Sequence, residues 1–359
     1  MAEEMKALLD ELTKLLCVKT AQMTKKEKKK ISKKISKMFS FCKSKELLYF
    51  NQEACAMIIG VNCDLHDLKD AIIFSGHIDT VIFNENVKLE QGRLYGSGAS
   101  DMKSFFACVK KTLLDIGCEN FKRPILVAIT YDEETNNKGI NAIKEFLRKK
   151  NIRAKSCIVG EPTNLGYATS SRGCYDFSIS IKGKQCHTES SESVEKDAMT
   201  GLLKCIDFLR ELSKNDTKTI LKITRLETGK ELNATKSKCS VSYQIRTITE
   251  ERVHEINKQV CRYLDKQEVD FELIDHDTHL LPFENCSSTI AKKLTKERLN
   301  KVNFSASSEA GEYNMLGIDT IILGAGDLSL AHTLEENIEV EQLEKYCIIL
   351  KKACLIMDQ

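Results

Sequence analysis

Four stretches of this chain combine histidine and carboxylate residues in spacings suited to holding a cation and moving a proton. SGHIDT contributes His77 and Asp79, and SGASDMK contributes Asp101. YDEET contributes Glu133 and Glu134, and VGEPT contributes Glu161. A His-x-Asp pair suits a metal-ligating imidazole with a second carboxylate that orients it. The adjacent pair Glu133-Glu134 permits a division of labour in which one carboxylate binds metal and the other acts as general base. Each piece has a plainer reading: a strand-end histidine is often structural, and DEE is common in surface turns. The glycine-rich YGSGAS resembles a phosphate loop, but it lacks the closing Lys-Ser/Thr. It also carries Asp101 where a phosphate would want donors, which argues against a nucleotide site.

What favours the metal reading is where these residues fall. From residue 45 to 165, β-rich runs (ELLYF, CAMIIGV, AIIFSG, ILVAITY, SCIVG) alternate with helical patterns at DMKSFFACVKKTLLDIG and 138–149. Such alternation predicts a mostly parallel sheet covered by helices, an α/β fold. Parallel strands bring their carboxyl ends to one edge, and His77, Asp79, Glu133, Glu134 and Glu161 each follow a strand. After Gly166 the pattern becomes β-α-β-β-α-β. It comprises a strand with Tyr175, Phe177, Ile179 and Ile181 on one face, a helix over 193–212, strands TILKITR and CSVSYQIR, a helix over 250–266 and strand DFELI. This is the order of a small ferredoxin-like α+β domain. The β/α texture resumes near residue 280 with strand DTIILG and a final helix over 340–357. The chain therefore divides into a discontinuous domain of residues 1–168 and 280–359 and an inserted domain of residues 169–279.

Composition narrows the function classes. At 359 residues, with 42% hydrophobic and 30% charged residues, the chain can bury a large core and is too charged to embed in a bilayer. Lys+Arg 54 against Asp+Glu 52 leaves a net charge of +2, so no global field draws it to nucleic acid or an anionic membrane. Fifteen cysteines without a CxxC pair read as reduced thiols in a cytoplasmic protein. The start MAEEMKALLDELTKLL predicts an amphipathic helix in place of a secretory signal. The one conspicuous charge run, Lys25 to Lys37, invites a nucleic-acid reading. However, Ile31, Ile35, Met38 and Phe39 recur beneath the lysines at helical spacing, as in a surface helix with a solvated basic face. Salt-sensitive retention on heparin separates the two readings.

Taken together, SGHIDTV, GRLYGSGASDMKSFFA, YDEET, GEPT, GKQCHTES and GAGDLSLAHTLEEN resemble the M20 family of zinc aminoacylases and carboxypeptidases, in order and over nearly the whole chain. Within the family, DMK before SFFA, DEET, SSEA ahead of a GID strand, and GAG before AH are most similar to the acetylornithine deacetylases. Succinyl-diaminopimelate desuccinylases are close relatives. The resemblance implies a zinc-peptidase-like catalytic domain with an inserted lid that forms a homodimer, and a site of two Zn2+ for which Co2+ can substitute. His77 and Glu161 would hold one ion, Glu134 and His332 the other, and Asp101 would bridge them, with Asp79 orienting His77 and Glu133 the general base. His187 in the lid would stabilise the oxyanion across the dimer, its plainer reading being an exposed loop histidine. Asn233 and Arg246 match lid positions that bind substrate.

The implied reaction is hydrolysis of an acylated amino acid, N-acetyl-L-ornithine to ornithine and acetate in arginine biosynthesis. The rivals are a desuccinylase, another acyl-amino-acid hydrolase, a dipeptidase, or a catalytically dead relative, the last opposed by an intact ligand set. Departures from the family pattern fall mainly in lid and pocket-edge segments. Cys186 precedes His187, Thr235-Lys236 replaces an Ile-Pro pair, Gln244 and Thr247 flank Arg246 where Asp and Pro are usual, and Leu334-Glu335-Glu336 follows His332 in place of Pro-Asp-Glu. They bear on the substrate, since every metal-site residue is retained.

Overall fold

This computed structural model describes every residue except Met1, 190–196, 215–218 and 231, together with the side chain of Ala2. Backbone contacts divide the chain into two units: Met1–Ser171 with Phe283–Gln359, and Arg172–Pro282.

The first unit opens with α1 (Ala2–Leu16), which buries Leu8, Leu12, Leu15 and Leu16, and α2 (Lys25–Met38), which buries Ile31, Ile35 and Met38. Thr24 and Glu27 close a capping box at the start of α2, with the Thr24 amide donating to the Glu27 carboxylate at 2.8 Å. There follow β1 (Ser44–Phe50), β2 (Glu53–Gly60), β3 (Ala71–His77), the short β4 (Lys88–Glu90) and β5 (Arg93–Tyr95), and α3 (Lys103–Ile116). Next come β6 (Ile125–Thr130), α4 (Lys138–Lys149), β7 (Ala154–Val159), β8 (Tyr167–Ala168) and β9 (Ser170–Ser171).

The second unit is β10 (Gly173–Lys182), α5 (Ala198–Lys214), β11 (Ile220–Glu227), β12 (Lys238–Thr247), α6 (Glu250–Lys266) and β13 (Asp270–Asp275). Its antiparallel sheet has the order β11-β12-β10-β13, and both helices share one core with it. The expected start of the first of these helices, 193–196, lies outside the described residues. β10 differs from the one-face-wet strand its alternation predicts, because Ser178 and Ser180 are buried as well. It is flanked by strands on both sides, and Ser178 is hydrogen-bonded to Ser242 at 2.8 Å and to His276 at 2.6 Å.

The chain returns to the first unit with β14 (Phe283–Glu284), α7 (Thr289–Lys296), α8 (Ala310–Met315), β15 (Asp319–Leu323), β16 (Asn337–Glu339) and α9 (Val340–Met357). The main sheet has the order β1-β2-β6-β3-β7-β15-β8. Its middle strands β6, β3, β7 and β15 pair in parallel, whereas β1–β2, β2–β6 and β15–β8 are antiparallel. The antiparallel flank follows from the tight turn at Asn51 and Gln52, both at positive φ (46° and 65°), which joins β1 to β2 without a crossover helix. Every residue of β3 and β6 is buried, because one core containing Leu12, Phe105 and Leu350 covers one face and a second containing Ile143, Phe146 and Tyr313 covers the other.

Gly160 shows how closely α3 packs on this sheet beside the site. A Cβ there would lie 2.1, 2.2 and 2.6 Å from three ring atoms of Phe105. Gly160→Ala should therefore cost about 1–3 kcal/mol of stability in urea unfolding, and Phe105→Leu in the same chain should recover part of that loss. Strictly additive losses would show that the ring is not what the new methyl meets.

Candidate metal centre

His77, the last residue of β3, sits at the carboxyl edge of the sheet with its side chain buried. Its Nε2 lies 3.0 Å from Asp101 Oδ1, 3.9 Å from Glu161 Oε1 and 4.0 Å from Glu133 Oε2. On the far side, Nδ1 is 3.0 Å from the backbone carbonyl of Asp79 and 3.7 Å from its carboxylate. The ring is thus oriented more closely by the Asp79 carbonyl than by its side chain. The Asp79 carboxylate also accepts from the backbone N–H groups of Glu133 (3.3 Å) and Glu134 (3.0 Å), which anchors the loop after β6.

Asp101 stands between the two imidazoles. Its Oδ1 faces His77, and its Oδ2 lies 3.4 Å from Nε2 of His332. His332 Nε2 is also 2.7 Å from Glu134 Oε1. Asp101 thus touches both imidazoles, Glu134 lies against His332, and Glu161 and Glu133 stand at nearly equal distances from His77. His77, Asp101 and Glu134 each offer a ligand atom within 4.8 Å of the others. His332 has a φ of 62°, a left-handed backbone that a histidine adopts at a cost. Its side chain is 49% exposed, so the cluster opens to solvent on that side.

The electrostatics are those of buried acids packed against two imidazoles. Burial pushes Asp79 up to about 7 and raises Glu133 and Glu161 well above the usual carboxylate range. Asp101 goes the other way, because hydrogen bonds from His332 and His77 outweigh its burial. Hydrogen bonds to Asp101 and Glu134 lift His332 to about 10. His77 is raised as well, its burial being overcome by Asp101 and the surrounding acids. A bound divalent cation inverts this pattern, ionising the carboxylates and leaving the imidazoles neutral. Borderline nitrogen donors mixed with carboxylate oxygens suit zinc or its neighbours.

The arrangement also depends on a residue that sequence reasoning registered only as part of a departure after His332. Glu336 is buried, and its carboxylate accepts from the backbone N–H groups of Gly98 (3.0 Å), Ser100 (2.9 Å) and Asp101 (2.9 Å). It immediately precedes β16, which pairs with β5, so a strand pairing fixes the anchor of the loop that carries Asp101. Glu309 accepts from Ser75 of β3 at 3.4 Å and is pushed up to about 7 by burial. Lys103 of the DMK stretch is fully buried and donates to the Val18 carbonyl at 3.0 Å.

The remaining candidates lie in the second unit. His187 is 65% exposed at its side chain and forms a backbone bridge with Ala234, beside the exposed Asn233. Arg246 lies on β12, and its Nε donates to Gln244 at 2.7 Å.

Comparison with known proteins places this geometry. The profile of Peptidase family M20/M25/M40 matches residues 73–355. The chain is 26% identical over 310 residues to an acetylornithine deacetylase of Buchnera aphidicola subsp. Schizaphis graminum, covering 80% of each chain. It is 27% identical over 292 residues to an uncharacterized metallohydrolase of Methanocaldococcus jannaschii, covering 76% of this chain and 79% of the other. Among solved structures, a tripeptidase from Staphylococcus aureus shares the fold at TM-score 0.79 and 18% identity, over 99% of both chains. A di-peptidase from Saccharomyces cerevisiae does so at TM-score 0.77 and 12% identity, over 99% of this chain and 97% of the other.

Removing the Glu336 anchor should loosen the centre without unfolding the sheet. Glu336→Ala is expected to weaken divalent-metal affinity roughly 10–100-fold in competition with a chromophoric chelator, with an unchanged circular dichroism spectrum. Unaltered affinity would show that the Asp101 loop is held by other means.

Proposed function

The chain belongs to Peptidase family M20/M25/M40, and from that membership we propose that it is a metal-dependent hydrolase of N-acyl amino acids, with N-acetyl-L-ornithine its substrate. The observation that carries this reading is the single carboxylate of Asp101 set between His77 and His332, with Glu134 against His332 and Glu161 and Glu133 beside His77. That donor set suits two Zn2+ ions, or Co2+ in their place, with His77 and Glu161 at one position, Glu134 and His332 at the other, and Asp101 shared. Cations held there would lower the pKa of a water and polarise the scissile carbonyl.

The rest of the chemistry falls to residues of the chain. Glu133 has its carboxylate 4.0 Å from His77 Nε2, about as near as Glu161, and is 10% exposed, so it borders the cluster where a water could reach it. As general base it takes a proton from the attacking water and delivers it to the leaving amine nitrogen, so the C–N bond breaks as the acid is released. Asp79 positions both His77 and the Glu133-Glu134 loop. His187 would donate to the developing oxyanion from the second copy in a homodimer, Arg246 would pair with the substrate carboxylate through its guanidinium, and Asn233 would also contact substrate.

The acetylated substrate is favoured because the relative from Buchnera is named acetylornithine deacetylase along 80% of this chain. Peptide substrates form the second reading, since the tripeptidase and the di-peptidase share the fold. Chelator-stripped protein reloaded with zinc or cobalt should turn over N-acetyl-L-ornithine faster than N-succinyl-diaminopimelate or simple di- and tripeptides. Preferential peptide hydrolysis would replace the first reading with the second. Glu133→Gln should lower kcat by roughly 100–10,000-fold while metal content stays intact, and loss of metal would contradict its role as base. If His187 acts across a dimer, mixing inactive Glu133→Gln and His187→Ala chains should regain up to about a quarter of wild-type activity, since a randomly mixed heterodimer holds one intact site.

A further inference from the structure

We propose that the groove between α2 and the β1–β2 hairpin docks an acidic, extended segment of a partner protein, which adds to the open edge of β1. α2 carries eight lysines against one glutamate, although the whole chain nets only +2. Its packing is satisfied by Ile31, Ile35 and Met38, so the charge is not needed to hold the helix down. Lys25 and Lys28 face Glu53 at 3.7 and 3.5 Å, and Lys34 donates to the Lys14 carbonyl at 2.8 Å. Lys29 and Lys33 have no acidic partner among the described residues.

Lys25, Lys29 and Lys33 line one wall of a cavity of about 450 Å³, whose other wall includes Leu47, Tyr49 and Met57 of the hairpin. Tyr49 is 60% exposed. Among the described residues β1 ends the sheet and pairs only with β2, so the amide and carbonyl groups of its outer edge can take another strand.

Spacing and chemistry select the occupant. Residues four apart on a helix stand about 6 Å apart along the axis. Alternate residues of a strand repeat at about 6.6–6.8 Å. A strand with an acid at every second position therefore repeats its charge at nearly the spacing of the lysine ladder, and its backbone can pair with β1. Single-stranded nucleic acid has a charge repeat of the same order, but it would leave the edge amides unused and would find one exposed tyrosine in place of a stacking platform.

The test uses the full chain and a labelled peptide of about ten residues alternating Glu and Val, followed by fluorescence anisotropy. A block isomer of identical composition, the same peptide N-methylated at alternate amides, and a dT oligonucleotide of similar length serve as probes beside it. The alternating peptide should bind at least about tenfold tighter than all three, and Lys29→Glu/Lys33→Glu should weaken it by at least about tenfold with amide hydrolysis unchanged. The proposal is overturned if the isomers bind alike, if N-methylation has no effect, if the double variant binds normally or if none of the peptides binds. Tighter binding of the oligonucleotide would overturn it in favour of a nucleic-acid surface.

Discussion

The fold is organised around one electrostatic problem: Asp79, Asp101, Glu133, Glu134 and Glu161 gather at one end of a buried sheet, with His77 and His332 among them. Two like unit charges about 4 Å apart in partly screened surroundings repel by about 4 kcal/mol, which is why burial and crowding favour the neutral forms of Glu133 and Glu161 and why a cation bound there would ionise them. The parallel middle of the sheet makes the crowding unavoidable. β3, β6 and β7 all point their carboxyl ends to the same edge, and each delivers acid to it.

The polypeptide copes by giving the acids backbone donors. Asp79 receives two N–H groups from the loop it anchors, and Glu336 receives three from the loop that holds Asp101. These bonds let the loops be specified by main-chain geometry, leaving the side chains of Glu133, Glu134 and Asp101 free to face the cluster. The same economy explains the position of Gly160, where α3 approaches the strand end just before Glu161 too closely for any side chain.

Much of this was readable in the residues. The continuous apolar runs of β3 and β6 signalled strands buried on both faces, and the acids that follow them signalled a common edge. Periodicity located α6 and α9 to their ends, since their apolar spacing and the polar residues around them agree. The anchors were harder to see. Glu336 binds backbone N–H groups, which carry no residue identity, so no sequence pattern marks its partners. Asp79 was legible as a companion of His77 but not as the clasp on Glu133 and Glu134. The antiparallel flank and the burial of Ser178 and Ser180 depend on neighbours distant in sequence, beyond the reach of local periodicity. The approach of His332 to Asp101 required the C-terminal segment to return to the first unit, which the motif suggested and spacing alone could not.

That return has a consequence for the order in which the protein is made. His332 and Glu336 follow Glu161 only after the whole inserted unit has been synthesised, a delay of roughly 10–30 s at usual elongation rates. During that interval the emerging chain carries His77 and five neighbouring acids without the second imidazole, and the Asp101 loop lacks its clasp. A nascent chain therefore offers at most half a centre until the segment carrying His332 and Glu336 has emerged.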